Sequence, residues 1–171
     1  MEFFDLIKTR RSVRAYKPDP VEASQLDQIL EAARWAPTAA NRQPFRVMVI
    51  KTAGREAELG RIYERNWFVE APLVLCVCGV EAEGWVRRYD GKSYLDVDAA
   101  IVMDHIVLAA TALGLGTCWI AAFDPEAASE VLALPPDVEP IIFTPLGVPD
   151  DRPGIKRRKA LEDIVKYDTW S

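Results

Sequence analysis

Histidine is almost missing: the 171 residues contain one, His105, so a hydrolytic triad or a histidine-based metal centre has nearly nothing to be built from. Cysteine is also scarce. Cys76, Cys78 and Cys118 are the only three, an odd number that makes no disulfide framework and points to a reducing compartment, with the cytoplasm as the expected location. Cys76 and Cys78 lie two apart in Leu73-Val-Leu-Cys-Val-Cys78, on one face of an expected buried strand, and read as packed core thiols; no metal is expected. The 9 glycines nowhere form Gly-x-Gly-x-x-Gly after a strand or a Gly-Lys-Ser/Thr loop, which sets aside Rossmann and P-loop nucleotide sites. No uncharged apolar run reaches about 18 residues, and the first residues, Met-Glu-Phe-Phe-Asp, lack a basic segment followed by an apolar one, so neither a membrane span nor a secretory leader is expected. Repeats and low-complexity stretches are absent too. One domain over residues 1–171 is the expectation.

The distribution of positive charge is informative. The net charge is −5, yet ten of the 21 Lys and Arg fall in two windows free of acids: Lys8, Arg10, Arg11, Arg14 and Lys17, then Arg152, Lys156, Arg157, Arg158 and Lys159. The remainder carries 11 cations against 26 acids, a balance that argues against nucleic acid, whose binding relies on long-range attraction. Cations gathered near both ends of an acidic chain fit a small anionic ligand held by converging termini. Arg10-Arg-Ser-Val-Arg14 offers guanidinium forks, a hydroxyl and backbone N–H groups, a set suited to a terminal phosphate.

Phe3, Leu6 and Ile7 predict a short first helix running into that basic turn. Asp19-Pro20-Val21-Glu22 carries helix-start chemistry, and Leu26, Ile29, Leu30 and Ala33 then recur on one face until Pro37 stops the helix. Thr38-Ala-Ala-Asn-Arg-Gln43 is a polar loop between prolines, leading into a strand over Phe45 to Ile50. An amphipathic helix is expected over about Ala53 to Glu64, then the Leu73 to Val80 strand. Glu81 to Tyr94 has no clear period and reads as a mobile loop or lid. Leu95 to Leu115 is helical and apolar on nearly every side, which favours a subunit interface as one covering surface. Thr117 to Phe123 and Ile141 to Gly147 read as strands, Pro145 suggesting an edge or bulge in the latter; Asp124-Pro125-Glu126 starts another helix. Without strict βαβα alternation, the expected class is α+β with a largely antiparallel sheet.

Four separated segments then fall in the order and spacing of one family. Arg10-Arg-Ser-Val-Arg-Ala-Tyr16, Ala32-Ala-Arg-Trp-Ala-Pro-Thr-Ala-Ala-Asn-Arg-Gln-Pro-Phe45, Gly114-Leu-Gly-Thr-Cys-Trp-Ile120, and Leu146-Gly147 with Lys156-Arg-Arg158 resemble the nitroreductase-like FMN-dependent oxidoreductases, in a compact form without the longer middle insertions. The resemblance implies an α+β fold with a central, mostly antiparallel sheet flanked by helices, in an intertwined homodimer with FMN at the subunit interface. It implies reduction by NADH or NADPH and reoxidation by a small-molecule acceptor such as a nitroaromatic or quinone.

Carried onto this chain, the resemblance has Arg10 and Arg158, helped by Lys156 and with Arg11 alongside, holding the FMN phosphate. Ser12 would bond the phosphate or ribityl region, and Arg14 would lie near the pyrimidine edge. Pro37, Thr38, Ala39 and Asn41 would come from the partner subunit, Asn41 and Gln43 supplying amide contacts. Cys118, Trp119 and Ile120 would approach the ring with their backbone N–H groups. No protein residue is needed as nucleophile. Pro37-Thr-Ala39 stands where the family often has Pro-Ser-Ser or Pro-Ser-Ala, which removes one hydroxyl contact, and Phe45 stands where Trp is common. Related proteins on the same scaffold carry out reductive dehalogenation or flavin fragmentation, and a phosphate-ligand binding module without catalysis is the non-enzyme alternative.

Overall fold

The computed structural model describes residues 2–154 and 156–170. Its centre is a sheet of four antiparallel strands in the order β1 (Phe45–Lys51), β2 (Leu73–Val80), β4 (Val138–Gly147), β3 (Gly116–Thr117). Every residue of β2 is buried, which is why that segment reads as an unbroken apolar run rather than an alternation. Its odd-numbered Leu73, Leu75 and Val77 pack against α2 (Ala23–Arg34) and α5 (Leu95–Ala112). Its even-numbered Val74, Cys76 and Cys78 face α3 (Glu56–Ile62), α4 (Asn66–Glu70) and α6 (Pro125–Val131), through Leu59, Ile62, Phe68 and Ala128. All three cysteines are buried and free, the Sγ atoms of Cys76 and Cys78 being 3.5 Å apart.

The chain ends are drawn together at the β3 edge. After α1 (Phe3–Thr9), Ser12 bridges Thr117, the Val13 N–H donates to the Thr117 carbonyl at 2.8 Å, and Tyr16 pairs with Pro149. The Asp150 N–H returns a bond to the Ala15 carbonyl at 2.9 Å. Two glycines that face each other in the β3–β4 register, Gly116 and Gly147, make this crossing possible. A Cβ on Gly147 would lie 2.7 Å from the Pro72 ring and 3.2 Å from Tyr16, and one on Gly116 would lie 2.9 Å from Val13. The Gly147→Ala variant is expected to lose about 1 to 3 kcal/mol of stability, because a proline ring cannot rotate away. A urea midpoint equal to the parent's would contradict this.

Several boundaries differ from the sequence reading. Helix α2 starts at Ala23, not Pro20: the cap is Glu22, whose N–H donates to Gln25 Oε1 at 3.2 Å. The helix expected up to Glu64 ends at Ile62, because Tyr63 is extended, and the five-residue α4 that follows is too short to show a period. The strand expected over Thr117 to Phe123 is only two residues plus an Ile120–Phe143 bridge. Its ladder breaks because the Cys118 N–H donates to Thr144 Oγ1, at 3.0 Å, instead of to a strand carbonyl. Pro145 falls in that break, and the β2–β4 register slips between Val77 and Cys78, opposite Pro140 to Ile142. The 81–94 segment, expected as a loop or lid, is a small pinned hairpin: Val86 bridges Ser93, Trp85 stacks edge-on against Tyr94 at 5.1 Å, and the Arg87 Nη1–H donates to Tyr94 Oη at 2.8 Å.

Two helices leave apolar side chains uncovered. No residue of α1 is buried, and Phe3 is 59% exposed. On α5, Val97 stays open beside Trp119, which is 40% exposed. Among the described residues no helix is long and apolar enough to cross a membrane.

Candidate functional site

The stitching of residues 14–17 to 148–151 brings the two cationic windows together. The Lys156 ammonium donates to the carbonyls of Lys8 and Arg10, closing the end of α1, and Arg10, Arg158 and Arg11 all act on its charge. Arg11 differs from its neighbours. Its guanidinium pairs with Asp151 and donates to the Asp151 carbonyl at 3.0 Å, while the Arg14 N–H donates to Asp151 Oδ2 at 2.9 Å. One acid therefore fastens the basic turn to the tail. Arg10, Lys156 and Arg158 have no carboxylate partner in any ion pair among the described residues.

Three clustered cations without a counter-charge repel one another, and a dianionic phosphate is the group that relieves this. Desolvation, then the fields of Arg10, Arg158 and Arg11, hold the Lys156 ammonium below the usual lysine range. A lysine whose pKa is depressed sheds its proton at lower pH than a free one, and a bound anion pushes that pKa back up. Affinity for a phosphate ligand is therefore expected to start falling below the pH of about 10.4 at which an ordinary lysine titrates. Titrations between neutral and alkaline pH check this, and Lys156→Met should remove that part of the slope.

Beside the cluster, burial raises the Cys118 pKa against the opposing pull of Arg14, Ser12 and Arg10. Arg14 is exposed, and its guanidinium lies over the Trp67 ring at 5.9 Å. Trp67 in turn packs edge-on against Tyr63 at 5.5 Å. Tyr63, Glu64 and Arg65 line a polar cleft of about 430 Å³ together with Ala122 and Asp124. Trp67 thus gives the Arg14 guanidinium an aromatic face, a contact between distant residues that the sequence does not announce.

The segment 118–122 presents fewer free amides than its sequence suggests. The N–H of Cys118 is taken by Thr144 Oγ1 and that of Ile120 by the Phe143 carbonyl at 2.9 Å. Those of Trp119, Ala121 and Ala122 make no hydrogen bond among the described residues. The donors available to a ligand here are therefore on Trp119 and two alanines, which no side-chain motif could have marked.

The second polar set stands apart. Pro37 leads into a tight turn in which Ala40, Asn41 and Gln43 all have positive φ, between 52° and 54°. Each such residue costs about 1 to 2 kcal/mol, so the surroundings must hold the turn. The Gln43 N–H donates to Thr38 Oγ1 at 3.0 Å, the Gln43 amide donates to Asn41 Oδ1 at 3.3 Å, the Ala39 N–H donates to Asp98 Oδ1 at 2.8 Å, and Arg42 donates to the Gly84 carbonyl at 2.7 Å. No hydrogen bond or ion pair among the described residues joins this loop to Arg10, Ser12, Arg14, Cys118, Lys156 or Arg158. Within one chain, no bond among the described residues ties the Pro37 to Gln43 set to the cationic set.

The cationic cluster fits the phosphate of FMN, since it is an anion site built from both ends of the chain and left without an acid. Comparisons with known proteins identify the family. A solved nitroreductase family protein from Clostridium difficile 630 is 38% identical, with 99% of each chain covered and a TM-score of 0.89. An NADH dehydrogenase of Thermus thermophilus is 30% identical over 92% of each sequence. An FMN reductase (NAD(P)H) of Bacillus subtilis is 29% identical over 99% of this chain and 74% of its own length. The model of the Nitroreductase family matches residues 7–74 and 63–148. This chain belongs to the nitroreductase family.

Proposed function

We propose that the chain is an FMN-dependent oxidoreductase, one FMN-binding unit over its whole length, taking hydride from NADH or NADPH and passing it to a small acceptor of the nitroaromatic or quinone class. The observation that carries this reading is the meeting of Arg10, Lys156 and Arg158 without a balancing acid. The Bacillus subtilis and Thermus thermophilus relatives, by their names, support a flavin and a nicotinamide partner.

FMN, when bound, supplies a ring that accepts hydride from nicotinamide and then gives it up to the acceptor. The chain's own residues bind and bias. Arg10, Lys156 and Arg158 grip the phosphate, with Ser12 reaching the phosphate or ribityl chain. Arg14, fixed over Trp67 rather than neutralised by a carboxylate, favours negative charge at the pyrimidine edge. Free N–H groups at Trp119, Ala121 and Ala122 are donors for the ring. No side chain acts as nucleophile.

The separation of the two polar groups supports a homodimer in which the Pro37 to Gln43 loop of one copy completes the site of the other. The exposed apolar faces of α1 and α5 supply the interface such a dimer buries. A charge there should undo it: Val97→Glu is expected to sediment as a monomer and to lose bound flavin. A dimeric Val97→Glu protein with full flavin content would count against this arrangement.

The decisive experiment is simple. The purified protein should carry, or take up, FMN with its visible absorbance, bleach anaerobically on addition of NADH or NADPH, and recover colour with a quinone or nitroaromatic. A protein that binds FMN but is bleached by neither nicotinamide would be a phosphate-ligand module instead.

A further inference from the structure

The strained turn that carries Asn41 and Gln43 hangs on a single buried group. Asp98 sits in the first turn of α5 and is 2% exposed. Its Oδ1 accepts the Ala39 N–H at 2.8 Å, and its Oδ2 is buried with no hydrogen-bond partner among the described residues. Polar atoms are not buried for nothing: an acid among Ala99, Val102 and Met103 costs the fold more than a leucine of similar size would. The only hydrogen bond this carboxyl makes among the described residues is the one to the loop, so holding the loop is what it is there to do.

Position strengthens the point. Ala39 opens the turn, immediately before the left-handed pair Ala40 and Asn41. Thr38 Oγ1 and the Asn41 amide only close the turn on itself, and Arg42 reaches the carbonyl of Gly84 at the foot of the 84–94 hairpin, whereas the Asp98 bond ties the turn to a rigid 18-residue helix. A turn of non-glycine residues in the left-handed region relaxes when its tether is cut.

We propose that Asp98 is the positioning residue for the 38–43 loop, holding it through the Ala39 amide in the shape that meets a flavin. This rests on the FMN reading above and goes beyond it by assigning a buried helix residue, away from the phosphate cluster, to cofactor recognition. Asp98 acts through the loop and touches no reacting atom.

The test uses the full chain, freed of flavin and titrated with FMN while flavin fluorescence is followed, with amide hydrogen exchange of residues 38–43 measured alongside. Asp98→Ala should weaken FMN binding about tenfold or more, and Asp98→Asn, which keeps an acceptor for the Ala39 N–H, should stay within about threefold of the parent. Ala39→Pro removes the donor instead, at a site where the extended Thr38 (φ −131°, ψ 158°) accepts a following proline. It should match Asp98→Ala, and the double variant should be no worse than either, the signature of one shared bond. Ala39→Pro alone decides the matter if Asp98→Ala does not fold. Parent-like FMN affinity in Asp98→Ala or Ala39→Pro, or equal losses in Asp98→Asn and Asp98→Ala, would overturn the proposal. If the parent itself takes up no FMN, the functional reading fails, but hydrogen exchange still judges the clamp: an Ala39 amide protected in the parent and exposed in Asp98→Ala upholds it, and equal protection sinks it.

Discussion

Reversing two charges, Arg10→Glu together with Arg158→Glu, should leave the chain able to bind riboflavin but nearly unable to retain FMN. The phosphate is all that distinguishes these ligands. In the parent, desolvation and then the fields of Arg10 and Arg158 lower the proton affinity of Lys156, and none of the three pairs with a carboxylate among the described residues. Charge-assisted bonds to a phosphate of this kind are each worth a factor of ten or more, so the double reversal is expected to weaken FMN by about a hundredfold or more. Riboflavin affinity should change by no more than about threefold. Paired calorimetric titrations with the two flavins read the difference directly. Equal losses for both ligands would mean that the cluster supports the fold and not the phosphate.

The second large effect concerns redox poise. The Arg14 guanidinium lies over the Trp67 ring at 5.9 Å and makes no ion pair among the described residues, while Asp151 accepts its backbone N–H and pairs with Arg11. A fixed positive charge beside the pyrimidine edge stabilises the reduced, anionic flavin more than the oxidised one. Arg14→Glu should therefore make the bound flavin harder to reduce, moving its midpoint potential down by roughly 50 to 100 mV, and should loosen its retention. Trp67→Leu, which keeps the arginine but removes its platform, should move the potential the same way by less. Spectroelectrochemistry of the flavin-loaded proteins measures both. An Arg14→Glu protein with unchanged flavin content and potential would remove this residue from the chemistry.

Much of this was legible in the sequence because the relevant signals are local. The acid-free windows at residues 8–17 and 152–159 predict ends that converge, and the fold joins the ends by pairing residues 14–17 with 148–151. The apolar runs at Leu73–Val80 and Leu95–Ala112 gave the central strand and the buried helix. What escaped depends on contacts between distant residues. Trp67 matters because Arg14, 53 positions earlier, lies on it. Asp98 is an acid in an apolar helix, and only its bond to Ala39, across 59 positions, gives it a task. Arg11 read as one more phosphate ligand until Asp151 claimed it. The 84–94 hairpin was missed because it is pinned by side chains, Arg87 to Asp90 and Tyr94, rather than by a strand period. Donors at Ala121 and Ala122 were invisible for a plainer reason: a free backbone N–H has no residue code.

In the proposed assembly both ends of one chain close around the phosphate of a flavin, and a second copy completes the enclosure of its ring. A crystal structure of the protein grown with excess FMN tests it most directly. The account expects the phosphate within hydrogen-bond reach of Arg10, Lys156 and Arg158, and the ring against the 38–43 loop of the neighbouring subunit. A phosphate seated elsewhere, or a flavin complete within a single isolated chain, would contradict it.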